Sequence, residues 1–125
     1  MSNQSLGQIG ETVAANYLLS QGYKIITTNF FNKRGYKFGE IDIITKDKKG
    51  KIVFIEVKAR KGKEDKVAPE ENVTNQKLTN IIKTAQYFLS KHELMDEEWR
   101  VDLITVILDF SIRKMHLRHI KAIHF

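Results

Sequence analysis

KIVFIEVKA, residues 51–59, is the stretch that decides the fold, because it indicates a strand at the centre of a sheet. Alternate side chains of a strand point to opposite faces, and both faces of this one are largely apolar. That pattern is typical of a strand covered on both sides. Glu56 and Lys58 share a face with Ile52 and Phe54, so we expect them to carry charge into a half-buried region.

The neighbouring segments extend this strand into an α/β domain. Residues 39–46 read as a second strand, and the polar turn 47–50 between the two is typical of a hairpin. Apolar residues at helical or strand spacing predict helices over 5–21 and 74–92 and strands over 23–30, 100–110 and 112–117.

The predicted order is α-β-β-β-α-β-β, which is typical of a mixed central sheet flanked by helices. The helix over 74–92 joins two buried strands, so we expect those strands to be parallel with a right-handed crossover. Residues 60–73 contain Gly62 and Pro69 and indicate a mobile loop, and the last few residues are expected to form a short terminal helix.

Length and charge narrow the class of protein. The 125 residues suit a single domain over 1–125, and 21 Lys and Arg against 15 Asp and Glu give a net charge of +6. That balance favours an anionic partner, with nucleic acid or an acidic membrane surface first. The absence of cysteine excludes disulfides, a thiolate nucleophile and cysteine-based zinc sites. With no signal peptide and no apolar run long enough to span a bilayer, a cytoplasmic protein is expected.

Asp42 interrupts the apolar residues of strand 39–46 as Glu56 and Lys58 interrupt the next strand. Burying such charges is costly unless partners compensate them. One interpretation is a buried ion-pair network. The other is a divalent metal site, in which carboxylate oxygens bind Mg²⁺ or Mn²⁺ and the lysine lies beside an attacking water. The three residues alone leave both interpretations open.

Other charged residues have simpler explanations when taken singly. Glu11 is expected to be an ordinary acid in the first half of a helix, and Lys77 a solvated lysine. Asp102 is expected to pair with Arg100 or to cap the strand edge rather than to bind metal. His116, His119 and His124 are expected to be surface or terminal histidines rather than zinc ligands.

Two basic clusters flank the strand ends that carry Asp42 and Lys58, and they are the best candidates to follow a phosphate backbone. The residues proposed for nucleic-acid binding are Lys33, Arg34, Lys37, Arg60 and Lys61.

Several stretches together resemble a known family. GEIDII (39–44) and FIEVKAR (54–60) resemble the core motifs of the PD-(D/E)XK nuclease superfamily. More narrowly, the chain resembles the YraN-type bacterial family related to Holliday-junction resolvases. GQIGETVAANYL (7–18), Lys77 and RVD (100–102) extend this resemblance over nearly the whole chain. Ile41 replaces the superfamily's proline, and the stretch 32–38 is longer than is usual in the family.

The resemblance implies a restriction-endonuclease-like three-layer core and a role for each motif residue. Asp42 and Glu56 would bind Mg²⁺ (or Mn²⁺) with the backbone carbonyl of Val57, and Lys58 would orient or activate water. Glu11 would reach the metal through water, and Lys77 would contact phosphate.

The expected function is therefore that of a Mg²⁺-dependent endodeoxyribonuclease, with branched or damaged DNA as candidate substrates. Two alternatives remain: a nucleic-acid-binding module of the same fold without cleavage activity, and a scaffold whose carboxylates are structural. A homodimer is a further expectation, because resolvase-like enzymes often work as dimers.

Overall fold

The structure is a computed structural model that describes residues 4–31, 39–67 and 73–124. Its helices and strands follow the predicted order, with bounds close to those predicted. The elements are α1 (Leu6–Ser20), β1 (Lys24–Phe31), β2 (Glu40–Lys46), β3 (Ile52–Lys61), a 3₁₀ helix (Glu64–Lys66), α2 (Asn75–Lys91), β4 (Trp99–Asp109) and β5 (Lys114–Ile120).

The five strands form one mixed sheet in the order β1-β2-β3-β4-β5. The β2–β3 hairpin is antiparallel, whereas β3 and β4 pair in parallel through ten residue pairs, from Ile52↔Trp99 to Lys61↔Leu108. The predicted parallel pair is therefore confirmed. Strands β1 and β5 lie at the two edges and pair antiparallel with their neighbours.

The two helices cover opposite faces of the sheet, as the apolar faces of β3 predict. Val53 and Ile55 belong to the core cluster that contains Ala14 and Leu18 of α1. Ile52 and Phe54, on the other face, belong to the cluster that includes residues of α2. Glu56 follows Phe54 by two residues, so its side chain is directed towards α2.

Both ends of α1 are fixed by capping. The Ser5 hydroxyl accepts the backbone N–H of Gln8, whose side chain accepts that of Ser5 in return. At the other end Gly22 has a φ of +87°, and the backbone N–H of Tyr23 bonds to the carbonyl of Leu18. This is a helix termination of the kind that favours glycine.

Strand β1 is irregular along its length. Its pairing with β2 shifts register between Ile25 and Thr27, which indicates a bulge at Ile26. Asn29 adopts a φ of +52°, which is unusual for a strand residue other than glycine. The outer edge of the sheet at β1 is therefore bent rather than flat.

Two local predictions need correction. The predicted terminal helix is wrong, because Ala122 donates its backbone N–H to Asp102 and Ile123 donates its own to the carbonyl of Val101. These bonds hold the end of the chain against β4, with a φ of +57° at Ala122 and a turn directly after it. The predicted loop over 60–73 contains the end of β3 and a 3₁₀ helix, and its residues 68–72 lie outside the described part.

Within the described residues, neither α-helix has the length and apolar character that crossing a membrane requires.

Candidate active site

The site begins where β2 separates from β3. The ladder between these strands ends at Ile43↔Ile55, although β2 continues to pair with β1 as far as Glu40. At that register Val57 would pair with Ile41, but its backbone N–H is donated instead to Oδ2 of Asp42 at 2.7 Å. The Asp42 carboxylate thus closes the ladder and is held at the mouth of the gap between the strands.

Glu56 lies beside this carboxylate and is 5% exposed. Its Oε1 is 3.9 Å from Nζ of Lys58 and 3.5 Å from Nζ of Lys77. Lys77 comes from the first turn of α2, where Thr74 caps the helix by accepting the Lys77 backbone N–H. The structure therefore brings all four predicted residues, Asp42, Glu56, Lys58 and Lys77, to one place.

Glu11 joins them from α1. One carboxylate oxygen each from Glu11, Glu40 and Asp42 lies within 4.8 Å of the others, and this is the one such group of potential metal ligands within the described residues. Glu40 was missed by the sequence analysis. The signal was present, because Glu40 precedes Asp42 by two residues within the same motif and shares its side of the strand.

The position of α1 depends on Gly10. A Cβ on this residue would lie 2.8 Å from Cβ of Ala59 on β3, so the close approach of the helix to the sheet requires glycine. Glu11 follows directly, and the tight contact sets how far its carboxylate reaches toward the end of β2.

The electrostatics of the site are those of crowded carboxylates. Burial, followed by the Asp42 carboxylate and its hydrogen bond, raises the pKa of Glu56 to about 8. Burial also raises the pKa of Glu11, and the charges of Asp42 and Glu40 add to this effect. Burial and then a hydrogen bond with Lys77 lower the pKa of Lys58, despite the opposing effect of Glu56. The lysines therefore offset only part of the repulsion among the acids.

Two cavities open beside these groups. One of about 300 Å³ is lined by residues that include Gln8, Glu11 and Asp42. The other, of about 330 Å³, is lined by residues that include Glu40 and Lys77 at the start of α2. The cluster of carboxylates thus has open space on two sides, where a substrate group has room to approach.

The donor set fits a divalent cation. Mg²⁺ and Mn²⁺ prefer hard oxygen ligands, and the site offers the carboxylates of Asp42, Glu56, Glu11 and Glu40. Burial and the neighbouring Asp42 carboxylate raise the pKa of Glu56 to about 8, which favours a proton on Glu56. A bound cation would relieve the same repulsion without that proton.

The predicted nucleic-acid contacts are described only in part. Arg60 and Lys61 lie at the end of β3, three or four residues beyond Val57. Arg60 donates to the carbonyl of Ala59 at 2.9 Å, and Nζ of exposed Lys61 is 5.7 Å from the centre of the Phe110 ring. The other predicted residues lie outside the described part of the chain; they are Lys33, Arg34 and Lys37.

A separate polar network lies at the start of β4. Asp102 is fully buried and pairs with Arg100 at 2.9 Å, as expected. His119 is not a surface histidine: its side chain is 5% exposed because Nε2 lies 2.7 Å from Asp102 and Nδ1 lies 2.9 Å from the Tyr17 hydroxyl. The expectation was wrong because it took β5 to end before His119, whereas β5 continues to Ile120 and pairs His119 with Ile104.

Comparison with known proteins agrees with these motifs. A model of the family described as "Uncharacterised protein family UPF0102" matches residues 10–106. A UPF0102 protein of Trichlorobacter lovleyi is 42% identical over 106 residues, covering 85% of this chain and 80% of that protein. One from Clostridium tetani is 43% identical over 117 residues, covering 89% of this chain and 90% of that protein.

A crystal structure of a repair endonuclease from Pyrococcus abyssi aligns with 21% identity and a TM-score of 0.41, covering 87% of this chain and 40% of that one. The match over residues 10–106 and the identity to the curated relatives confirm the family resemblance: the chain belongs to the UPF0102 family.

Proposed function

We propose that this protein is a metal-dependent nuclease that hydrolyses phosphodiester bonds in DNA. The observation that carries the proposal is the meeting of Asp42 and Glu56 with two lysines at the point where β2 and β3 separate. Such a group of buried and half-buried charges is costly to the fold, so a functional role is the simplest reason for its presence.

The residues that would hold Mg²⁺ or Mn²⁺ are Asp42 and Glu56, with the carbonyl of Val57 and, through water, Glu11. Glu40 is added to this set by its distance from Glu11 and Asp42. When bound, the cation would supply charge stabilisation for the phosphate oxygens and lower the pKa of water.

The lysines supply the remaining positive charge. Nζ of Lys58 lies close enough to Glu56 to share a water with it, and its lowered pKa makes proton exchange with that water easier. Lys77 is better placed to hold a phosphate oxygen, because it lines the cavity at the start of α2 and is more exposed than Lys58. The in-line attack of water on phosphorus would take place between the ammonium groups of Lys58 and Lys77.

DNA as the substrate is supported by charge. The chain carries a net charge of +6, and Arg60 and Lys61 extend the strand that holds Glu56 and Lys58. A phosphate backbone lying across the end of β3 would meet these cations on its way to the carboxylates. The motif resemblance favours branched or damaged DNA as the substrate class. We also propose that the protein acts in the cytoplasm and that it forms a homodimer.

The test is a cleavage assay on plasmid, linear and branched DNA with Mg²⁺ or Mn²⁺. Asp42→Asn and Glu56→Gln keep the size of each side chain and are expected to lower cleavage by roughly 100-fold or more. Asp96→Asn and Glu97→Gln make the same changes at exposed positions and should cleave like the wild type. Equal cleavage by the wild type and Asp42→Asn would overturn the proposal.

Binding without cleavage is the other informative outcome. If wild-type protein binds DNA in a salt-dependent manner but yields no product with either metal, the protein is a binding module of this fold. Loss of folding in Glu56→Gln, with no DNA binding by the wild type, would instead identify the carboxylates as structural.

A further inference from the structure

A third cavity lies at the opposite end of the sheet from the candidate active site. Its volume is about 310 Å³, and its charged lining residues are Lys48, Lys49, Lys51, Lys121, Arg100 and Asp47. Asp47 follows Asp42 by five residues along β2, which corresponds to a separation of about 16 Å. The cavity therefore cannot be part of the carboxylate site.

Among the residues described, the one carboxylate that lines this cavity, that of Asp47, has its charge offset by Arg100. Oδ2 of Asp47 accepts from Arg100 at 3.0 Å, and Oδ1 accepts the backbone N–H groups of Lys49 and Lys51, each at 2.9 Å. The lysines are left in excess: in the part of the chain that the structure describes, their one salt-bridge partner is Glu98, whose carboxylate lies 3.8 Å from Nζ of Lys51.

The side chain of Arg100 is fixed by three hydrogen-bond partners. Its guanidinium donates to Asp102 at 2.9 Å, to Asp47 at 3.0 Å and to the Tyr23 hydroxyl at 2.9 Å. Since Asp102 is fully buried, this arrangement anchors the floor of the cavity to the core. A rigid wall lowers the entropy lost when a ligand binds.

Lys48 is also held in place. A Cβ at Gly22 would lie 2.2 Å from Cε and 2.9 Å from Cγ of Lys48, so the lysine stem lies directly against the glycine. The glycine that ends α1 therefore leaves room for the lysine to lie along this wall of the cavity. The residue itself is exposed, so its charged end lies at the surface beside the cavity.

Two tyrosines give the cavity an aromatic wall. Tyr17 and Tyr23 both line it, and the Tyr17 hydroxyl bonds to Nδ1 of His119. The Asp102 carboxylate only accepts hydrogen bonds, so Nε2 of His119 donates to it, and Nδ1 is the atom that bonds with the Tyr17 hydroxyl. Both phenol hydroxyls are thus held, and the tyrosines form an inner part of the cavity wall, with Tyr23 buried in the core.

We propose that this cavity binds a phosphate-bearing ligand of nucleotide size. The lysines match the charge of the phosphate, and the volume of the cavity lies in the range of small-ligand sites. The phosphate has two possible sources: a free nucleotide, or a nucleotide within a nucleic-acid strand. Neither depends on the proposed nuclease activity.

The test is a binding titration in EDTA, which removes any contribution from a metal at the carboxylates. The probes are deoxyadenosine monophosphate and a fluorescent 12-nucleotide single strand with a 5′-phosphate. The double variant Lys48→Gln/Lys121→Gln is expected to bind roughly tenfold more weakly or worse, because it removes two of the cations that face the phosphate.

A matched control variant tests whether binding depends on this cavity or only on the net positive charge of the protein. Lys91→Gln/Lys114→Gln removes the same charge at exposed positions away from the cavity and should bind within twofold of the wild type.

Tight binding of the mononucleotide identifies a free nucleotide as the ligand. Binding of the strand alone, weakened by the Lys48→Gln/Lys121→Gln change, identifies a nucleotide within a strand. No binding of either probe, or equal weakening by the two double variants, overturns the proposal.

Discussion

The Asp42 carboxylate accepts the backbone N–H of Val57 at 2.7 Å, in the place where the hairpin ladder would otherwise supply a carbonyl. One side chain therefore both completes the backbone hydrogen bonding of β3 and lies beside the carboxylates of Glu11 and Glu40. The same contact fixes the backbone between Glu56 and Lys58, so the positions of the charged groups depend on one another.

The first prediction separates these two roles of Asp42. Asp42→Asn keeps an oxygen that accepts from Val57, whereas Asp42→Ala leaves that N–H without its partner. We expect Asp42→Ala to lower the free energy of unfolding by about 1–3 kcal/mol relative to Asp42→Asn. Urea unfolding measures this difference, and cleavage should be lost in both variants. Equal stability of the two variants would contradict the role of Asp42 in closing the ladder.

The second prediction concerns metal binding. Calorimetric titration of the wild type with Mn²⁺ should show a site whose affinity falls at least roughly tenfold in Asp42→Asn. The variant loses an anionic oxygen while retaining the shape of the side chain. Asp96→Asn is the control for the loss of one carboxylate. A titration in which wild type and Asp42→Asn bind Mn²⁺ alike would remove Asp42 from the ligand set.

The third prediction follows from the raised pKa of Glu56. Between its ordinary value of 4.5 and about 8, the folded protein holds a proton on this carboxyl that the unfolded protein has lost. The stability of the metal-free protein therefore falls as pH rises through this window. Thermal unfolding in EDTA from pH 4.5 to 8 should show the decline.

Glu56→Gln is the comparison for this pH effect, because an amide does not titrate. Its stability should change less over the same range, and Glu97→Gln should follow the wild type. A wild type and a Glu56→Gln variant with parallel pH profiles would show that Glu56 ionises normally in the folded protein.

The fourth prediction concerns the contact between α1 and β3. Gly10→Ala places a Cβ 2.8 Å from that of Ala59, so the helix must move, at an expected cost of about 1–3 kcal/mol. The movement displaces Glu11, so metal affinity should fall with stability. In Gly10→Ala/Ala59→Gly the next contact, with Val57, lies at an ordinary 3.6 Å, and both properties should largely return. Failure of the double variant to recover would show that another constraint fixes Gly10.

The fifth prediction tests the network at the start of β4. Asp102 is buried and accepts from Arg100, His119 and the backbone of Ala122. Burial raises the pKa of Asp102, but these bonds outweigh burial and hold it below the ordinary value. Asp102→Leu leaves Arg100 without this partner and should cost about 3–5 kcal/mol in urea unfolding. Asp96→Leu, at an exposed position, should cost far less, and similar losses would contradict a structural role for the network.

The sequence predicted the elements well because their signals are local. Both faces of 51–59 are largely apolar, which predicts a central strand. The helices show regular apolar spacing, so the order of the elements and the parallel pairing of β3 with β4 could also be predicted. The charges at Glu56 and Lys58 stood out for the same reason, since they interrupt a buried pattern.

What the sequence missed depends on contacts between distant residues. His119 is buried by a bond to Tyr17, 102 positions away, and by Asp102, and neither partner can be inferred from the residues around it. Glu40 was missed although it lies two residues from Asp42, because its closeness to Glu11 on α1 is set by the fold. The predicted terminal helix is wrong because hydrogen bonds to Asp102 and to the carbonyl of Val101 hold the end of the chain against β4.

The bend in β1 has a consequence for how the protein avoids aggregation. β1 is an edge strand of this sheet, and Ile26 and Phe31 on it are 45% and 49% exposed. A flat apolar edge would recruit strands from other molecules into intermolecular sheets. The bulge at Ile26 and the left-handed backbone at Asn29 interrupt the row of hydrogen-bonding groups that such pairing needs. The irregular strand thus keeps an open sheet edge from acting as a template for polymerisation.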